Sequence, residues 1–306
     1  MAAMGPHRLS RDKGLMGRMY MTMFLMGILY AVFALILWSS GVGIVFIAVI
    51  AGVMMIAQYF MSEKLILRST GAKEVTREQE PELFAMVERL AQTAEMPMPK
   101  LAVIDSPVPN AFATGRNPQN ALVAVTTGIR QRLTDRELYA VLGHELAHVT
   151  NRDMRMMAIA SFFVTVASFL MQMFMWRMMF GGMFGGRRDS QGGAIIGIFL
   201  ATILVYFIGS FLMKSLSRYR EYGADHGGAE LTGDPGALAS ALEKISGAMA
   251  RIPSEDLRTL STANAFMIIP ALRGDTLGKL LSTHPPMEER VARLRALERE
   301  MTTGLR

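Results

Sequence analysis

Hydrophobic and polar positions are organised on two scales along this chain. On the coarse scale, four uncharged apolar stretches (residues 19–38, 41–61, 156–176 and 194–213) are each long enough to cross a bilayer as a helix. They fall in two pairs, and the 39–40 link inside the first carries no charge, as a tight hairpin requires. On the fine scale, residues 62–155 have the pattern of a soluble α/β unit. Between Glu78 and Met96, the residues Leu83, Met86, Val87, Leu90 and Ala94 recur on one helical side, and Pro97 and Pro99 stop the run. Leu101–Ile104 is a short strand, followed by an Asp105-Ser106-Pro107 turn with Pro109. Asn110–Thr114 and Ala121–Thr126 are two further strands, joined by the loop 115–120. Thr134-Asp135-Arg136-Glu137 has capping-box spacing and opens the next helix. The pattern predicts an integral membrane fold, mainly α with a small β-sheet. Its four parts are an N-tail and hairpin at 1–62, an α/β part at 63–155, a second hairpin at 156–213 and a helical part at 214–306.

Composition agrees with membrane residence. The chain of 306 residues is 51% hydrophobic and holds 27 methionines, more apolar than an ordinary soluble domain. Methionine runs such as Met171–Met179 suit helix packing and lipid contact better than copper binding. Cysteine is absent, which excludes disulfides, a thiolate nucleophile and a Cys-type zinc site. The net charge of +6 does not indicate nucleic acid, because the basic residues are interspersed with acidic ones and gather beside apolar segments. Arg8, Arg11, Lys13 and Arg18 precede the first stretch. That stretch is too long for a signal-peptide core and lacks a small-residue cleavage site, so a retained anchor is expected. Lys64 and Arg68 follow the second stretch, Arg152 and Arg155 precede the third, and Lys214, Arg218 and Arg220 follow the fourth. The positive-inside rule then puts the N-tail, 62–155 and the C-terminal region in the cytoplasm. Arg177, Arg187 and Arg188 in the 177–193 loop conflict with this and leave open a shallow second hairpin, although length favours full spans. The Gly-rich 181–193 segment lacks the Lys-Ser/Thr ending of a phosphate cradle.

Residues 144–148 read His-Glu-Leu-Ala-His. On a helix, His144 and His148 lie one turn apart on one face, so both imidazoles can reach one metal ion. Glu145 is rotated about 100° from that row, where a general base for a water beside the metal belongs. Such a set makes a zinc hydrolase site if a third protein ligand exists and a fourth position stays open. Glu221 is the favoured third ligand. His148 lies eight residues before the third stretch begins at Met156, and Glu221 lies eight residues after the fourth ends at Met213. If both spans continue as helix, each residue sits roughly 12 Å from the membrane boundary. Asp225, four residues on, shares the Glu221 face and suits the role of accepting the free ring N–H of a ligand histidine. His226 is rotated off that face, and Asp153 follows the motif too closely on the same helix to turn back to the metal. Asp153 is expected instead to support the interfacial helix end.

Together with Asn151-Arg152-Asp153, the Arg-Glu-Tyr-Gly-Ala-Asp block at 220–225 and His284-Pro285, this set resembles the HtpX-type membrane zinc proteases. These are gluzincins related to the CAAX prenyl proteases. The likeness spans nearly the whole chain, and four apolar stretches rather than seven favour the HtpX branch. It implies a gluzincin-like zinc metalloprotease domain with one Zn2+ per chain held by His144, His148 and Glu221, with Glu145 as catalytic base and Asp225 supporting the ligands. It also implies a stress-response protease of the cell inner membrane, multi-pass, its active site facing the cytoplasm. Its substrates would be misfolded or damaged membrane proteins and unfolded polypeptides. His284 is a candidate oxyanion donor, with Arg290 six residues on and Tyr222 ranked lower; otherwise His284 simply precedes a helix with a Val291, Leu294 and Leu297 stripe. Asn110 resembles a substrate-facing position, or else satisfies its own turn. Ala121–Thr126 is a plausible exposed edge for pairing with an extended substrate. Self-cleavage at 177–193 or the C-terminal segment is open. Two other classes compete: a membrane scaffold or holdase stapled by zinc, and a small channel. The channel is disfavoured because the four stretches contain no ionisable side chain.

Overall fold

The computed structural model describes residues 13–39, 70–115, 117–181, 192–249 and 285–303, with isolated positions between 45 and 68. These residues divide between two compact units, one within 1–17, 62–155 and 217–306, the other within 18–61 and 156–216.

The second unit is helical and apolar. Among the described residues, three helices are long and apolar enough to cross a membrane: α1 (Lys13–Ser39), and two whose candidate spans are Asp153–Trp176 and Ile196–Thr232. Those two are α5 (Asp153–Gly181) and α6 (Gly192–Thr232). The 41–61 stretch, the second arm of the expected first hairpin, falls almost wholly outside the described residues. Inside this unit Tyr30 stacks on Phe163 at 4.5 Å between ring centroids, and Phe174 meets Phe199 edge-on. Outward apolar side chains such as Phe24, Leu35, Leu204 and Phe207 are exposed, as lipid-facing residues would be.

The first unit carries a four-stranded mixed sheet in the order β1-β2-β4-β3. Its strands are β1 (Lys73–Glu74), β2 (Lys100–Ile104), β3 (Ala111–Thr114) and β4 (Leu122–Thr126). β4 runs parallel to β2, with Lys100 opposite Leu122, and antiparallel to β3, with Ala111 opposite Val125. β4 is therefore an inner strand, buried along its whole length, and the expected exposed edge at 121–126 is corrected. Its continuous apolar run explains this: Val123 and Val125 enter the main core while Leu122 and Ala124 pack on the opposite face. Among the described residues, the edge strand on that side of the sheet is β3.

Five helices of this unit matter for the site. α2 (Pro81–Thr93) lays Leu83, Val87 and Leu90 into the core. α3 (Thr127–Arg132) is short and is capped by the Thr126 side chain. α4 (Asp135–Thr150) starts at the expected capping box: Thr134 Oγ1 accepts from Glu137 N–H, and Glu137 accepts from Thr134 N–H at 2.9 Å. Glu137 also accepts hydrogen bonds from Ser240 and Lys244, both at 2.7 Å, on α7 (Pro235–Met249). α4 is buried from Leu138 to Val149 because α2, the sheet and α7 enclose it. α8 (Met287–Thr303) packs on α7 through Leu294 and Leu297. The motif helix does not run on into the third apolar stretch as one piece. It stops at Thr150, and Arg152 takes a left-handed conformation (φ 59°) before α5 begins at Asp153.

Candidate metal centre

Where α4 and α6 cross, their side chains nearly vanish. A Cβ at Gly228 would lie 2.7 Å from the His144 backbone nitrogen and 2.8 Å from its Cα; one at Gly227 would lie 3.0 Å from Ala147 Cβ. Only glycine at 228 permits this approach, and it carries Glu221 and Asp225 onto the motif face. His144 Nε2 lies 3.7 Å from Glu221 Oε2, and His148 Nε2 lies 3.6 Å from Glu221 Oε1. One ligand atom from each of His144, His148 and Glu221 falls within 4.8 Å of the other two, and all three residues are buried. Ligands about 2.0–2.1 Å from a tetrahedral zinc ion stand roughly 3.3 Å apart. The donor set of two nitrogens and one carboxylate suits such an ion, and its atoms stand a few tenths of an ångström or more wider than that spacing.

Each imidazole has an aspartate oxygen close to its other nitrogen. Asp225 Oδ1 lies 3.0 Å from His144 Nδ1. Asp153 Oδ2 lies 2.7 Å from His148 Nδ1. Both arrangements leave Nε2 facing the ligand cluster. Asp153 thus does turn back toward the motif, contrary to the expectation that it only supports the helix end. The left-handed Arg152 breaks the helix and swings the following residue under His148. It supports a ligand rather than being one. An aspartate directly after a helix-terminating Asn-Arg pair is the available signal.

Glu145 is buried beside the histidines, and its Oε2 accepts a 2.8 Å hydrogen bond from Ala113 N–H on the open edge of β3. Sequence offered no sign of that bond, since it depends on β3 being an edge. Burial pushes the Glu145 carboxyl up to about 7, against the influence of His144. That value lets one carboxylate both take and return a proton near neutrality. Burial and the neighbouring Arg220 push His148 well below the usual imidazole range, as a neutral ligand needs. Burial also acts to lower His144, but Asp225 and Glu221 outweigh it and hold the group up at about 9.

The remaining sequence-predicted residues are distributed unevenly. Arg290 is fully buried, with its guanidinium on both oxygens of Asp225 at 2.8 and 2.7 Å and on Glu221 Oε2 at 3.3 Å. Its Nη2 also lies 3.5 Å from His144 Nε2, so the guanidinium reaches the ligand cluster itself. Tyr222 is not brought to the cluster: its hydroxyl donates to Glu289, and Arg293 stacks on its ring at 4.2 Å. One residue beyond Glu221 on a helix, it is turned about 100° away. Asn110 is buried just before β3, its backbone N–H donating to Thr126 Oγ1 at 2.9 Å and its carbonyl accepting from Thr126. His226 pairs with Glu230 at 3.5 Å, away from the cluster. His284 lies outside the described residues. Arg220, not anticipated, donates to Glu221 Oε1 at 3.2 Å.

Comparison with known proteins adds the family. A protease HtpX homolog of Moorella thermoacetica is 54% identical over 295 residues, covering 96% of this chain and 98% of that protein. A protease HtpX homolog 2 of Methanosarcina acetivorans is 49% identical over 292 residues, covering 95% and 98%. In fold, the chain is similar to the crystal structure of S. mikatae Ste24p, with a TM-score of 0.54 at 22% identity, covering 90% of this chain and 66% of that one. The pattern of peptidase family M48 matches residues 77–298. With its long apolar helices and its buried His-His-Glu cluster, the chain belongs to peptidase family M48 and is a membrane metallopeptidase.

Proposed function

We propose that the chain is a zinc endopeptidase of the cell inner membrane that hydrolyses misfolded or damaged membrane proteins and unfolded polypeptides at the cytoplasmic face. The observation that carries this is the closure of His144, His148 and Glu221 around one point with Glu145 beside it. Held by those three residues, zinc would supply Lewis acidity toward a peptide carbonyl and a water molecule. Glu145 takes the proton of the attacking water at its carboxylate and delivers it to the departing amine. Ala113 N–H fixes Oε2 of that carboxylate, so proton transfer occurs at a set position. Asp225 and Asp153 hold the two imidazoles in the tautomer that presents Nε2.

An extended substrate pairs along β3. In its antiparallel ladder with β4, alternate residues face away from β4, so Ala111 offers its backbone groups and Ala113 its carbonyl, the Ala113 N–H being held by Glu145. Lys64, Arg68, Arg152, Arg155, Lys214 and Arg218 support the cytoplasmic orientation by the positive-inside rule.

Detergent-purified wild type and Glu145→Gln should bind equal zinc, while only wild type cleaves casein, and a chelator should stop that cleavage. A zinc-stapled scaffold without proteolysis predicts no difference between the two proteins. Equal cleavage by both, or a wild type that cleaves without bound metal, overturns the proposal.

A further inference from the structure

All three ligand residues are in the chain by position 221, yet the side chain that organises two of the surrounding acids comes from position 290. Glu221 and Asp225 are buried carboxylates one helical turn apart on α6. Two such groups repel each other unless a cation holds them. Arg290 of α8, with no exposed surface, lies against both. Its Nε and Nη2 grip the two oxygens of Asp225 in the forked geometry that only a guanidinium provides, and Nη1 lies 3.3 Å from Glu221 Oε2. Oδ1 of Asp225 is shared: it lies 2.7 Å from Arg290 Nη2 and 3.0 Å from His144 Nδ1. The proximity series Arg290, Asp225, His144 links α8 to a metal-facing imidazole, and Arg290 Nη2 also lies 3.5 Å from His144 Nε2.

Two further contacts hold α8 in register with α6. Glu289 accepts from the Tyr222 hydroxyl, and Arg293 covers the Tyr222 ring. Leu294 and Leu297 are buried on the same helix and pack α8 into the core. A buried ion pair is by itself a poor source of net stability compared with apolar side chains of similar volume. Its position, one atom removed from a ligand ring, indicates a role in aiming that ring.

We infer that Arg290 is a positioning residue of the metal centre, acting through Asp225 to orient His144, so that firm metal retention requires α8 to be docked. This rests on the zinc reading above. It makes residues 287–303 part of the metal site although they contribute no ligand.

The test uses full-length protein in detergent. Zinc affinity is measured by competition with a chromophoric chelator for wild type, Arg290→Met, Arg290→Lys, Asp225→Asn and the double variant Asp225→Asn/Arg290→Met. Visible absorption of the cobalt(II)-loaded proteins reports ligand geometry, and thermal unfolding of the metal-free proteins controls for folding. Loss of support for a ligand histidine typically costs about 10- to 100-fold in metal affinity. Arg290→Met should fall in that range, with an altered cobalt spectrum. In the Asp225→Asn background the same change should cost less than about 3-fold, because the group it acts through is already gone. Arg290→Lys should recover only part of the loss, since a point charge cannot grip both oxygens.

The double variant removes the Arg290 and Asp225 charges together, while Glu221 keeps its contact with Arg220. Wild-type affinity in Arg290→Met, full additivity in the double variant, or full recovery by lysine would each overturn the inference. Failure of wild type to bind zinc through His144 would instead overturn the zinc reading itself.

Discussion

Replacing Gly228 with alanine tests whether the crossing of α4 and α6 sets the ligand geometry. The added Cβ would meet backbone atoms, the His144 nitrogen at 2.7 Å and Cα at 2.8 Å, where ordinary contact begins at 3.4 Å. No side-chain rotation relieves a clash with backbone, so the helices must separate by about 0.6–0.7 Å. Functional groups generally need to stay within about 0.5 Å of their productive positions, and a 1 Å misplacement can cost about 100-fold in rate. Alanine improves helix propensity by about 1 kcal/mol over glycine, while overpacking costs about 1–3 kcal/mol, so net stability should fall by no more than about 2 kcal/mol. The expected protein is folded, binds zinc about 10- to 100-fold more weakly and cleaves casein slowly. Gly247→Ala, which meets nothing within 4 Å on α7, serves as the control and should match wild type or unfold at slightly higher temperature. A folded Gly228→Ala protein with wild-type zinc affinity and turnover would refute the idea that this glycine sets the metal geometry.

Three other expectations concern single contacts. Asp153→Asn should keep the fold but weaken zinc binding by about 10-fold or more, because the amide holds the His148 ring less firmly than a carboxylate; an unchanged chelator titration would remove Asp153 from the site. Ala113→Pro deletes the N–H that Glu145 accepts, at an edge-strand position that tolerates proline, so kcat should drop while zinc content stays at the wild-type level. Burial disfavours ionisation of Glu137, yet hydrogen bonds from Lys244, Ser240 and Thr134 outweigh it and hold the carboxyl down at about 2. A depressed carboxyl stabilises the fold above its ordinary value of 4.5 and loses that contribution as pH falls from 4.5 toward 2. Glu137→Gln should therefore lower the thermal midpoint near pH 7, by a free energy of roughly 1–3 kcal/mol. The gap to wild type should close near pH 2, and a gap that persists there would contradict this assignment.

The parts of the molecule that could be read from sequence are those governed by neighbours along the chain. Helix period alone puts His144 and His148 on one face, and the capping box at Thr134 and Glu137 is complete within four residues. Apolar length alone marks the candidate spans. The edge position expected for residues 121–126 fails because it is not such a local property. A fully apolar run of five residues suits an inner strand, but which strand lies at an edge depends on pairing partners distant in sequence.

Sequence by itself therefore determined the family-level chemistry: a helix presenting two imidazoles and a carboxylate, in a chain with membrane-crossing helices. Tertiary structure alone decided how the surrounding groups are used. The left-handed Arg152 brings Asp153 to His148, Gly228 lets α6 close on His144, and α8 carries Arg290 to Asp225 from the far end of the chain. The physical reason is that ligand types and local spacing are properties of short segments. Orientation within a fraction of an ångström arises where separate segments pack, and only the folded chain specifies which segments meet.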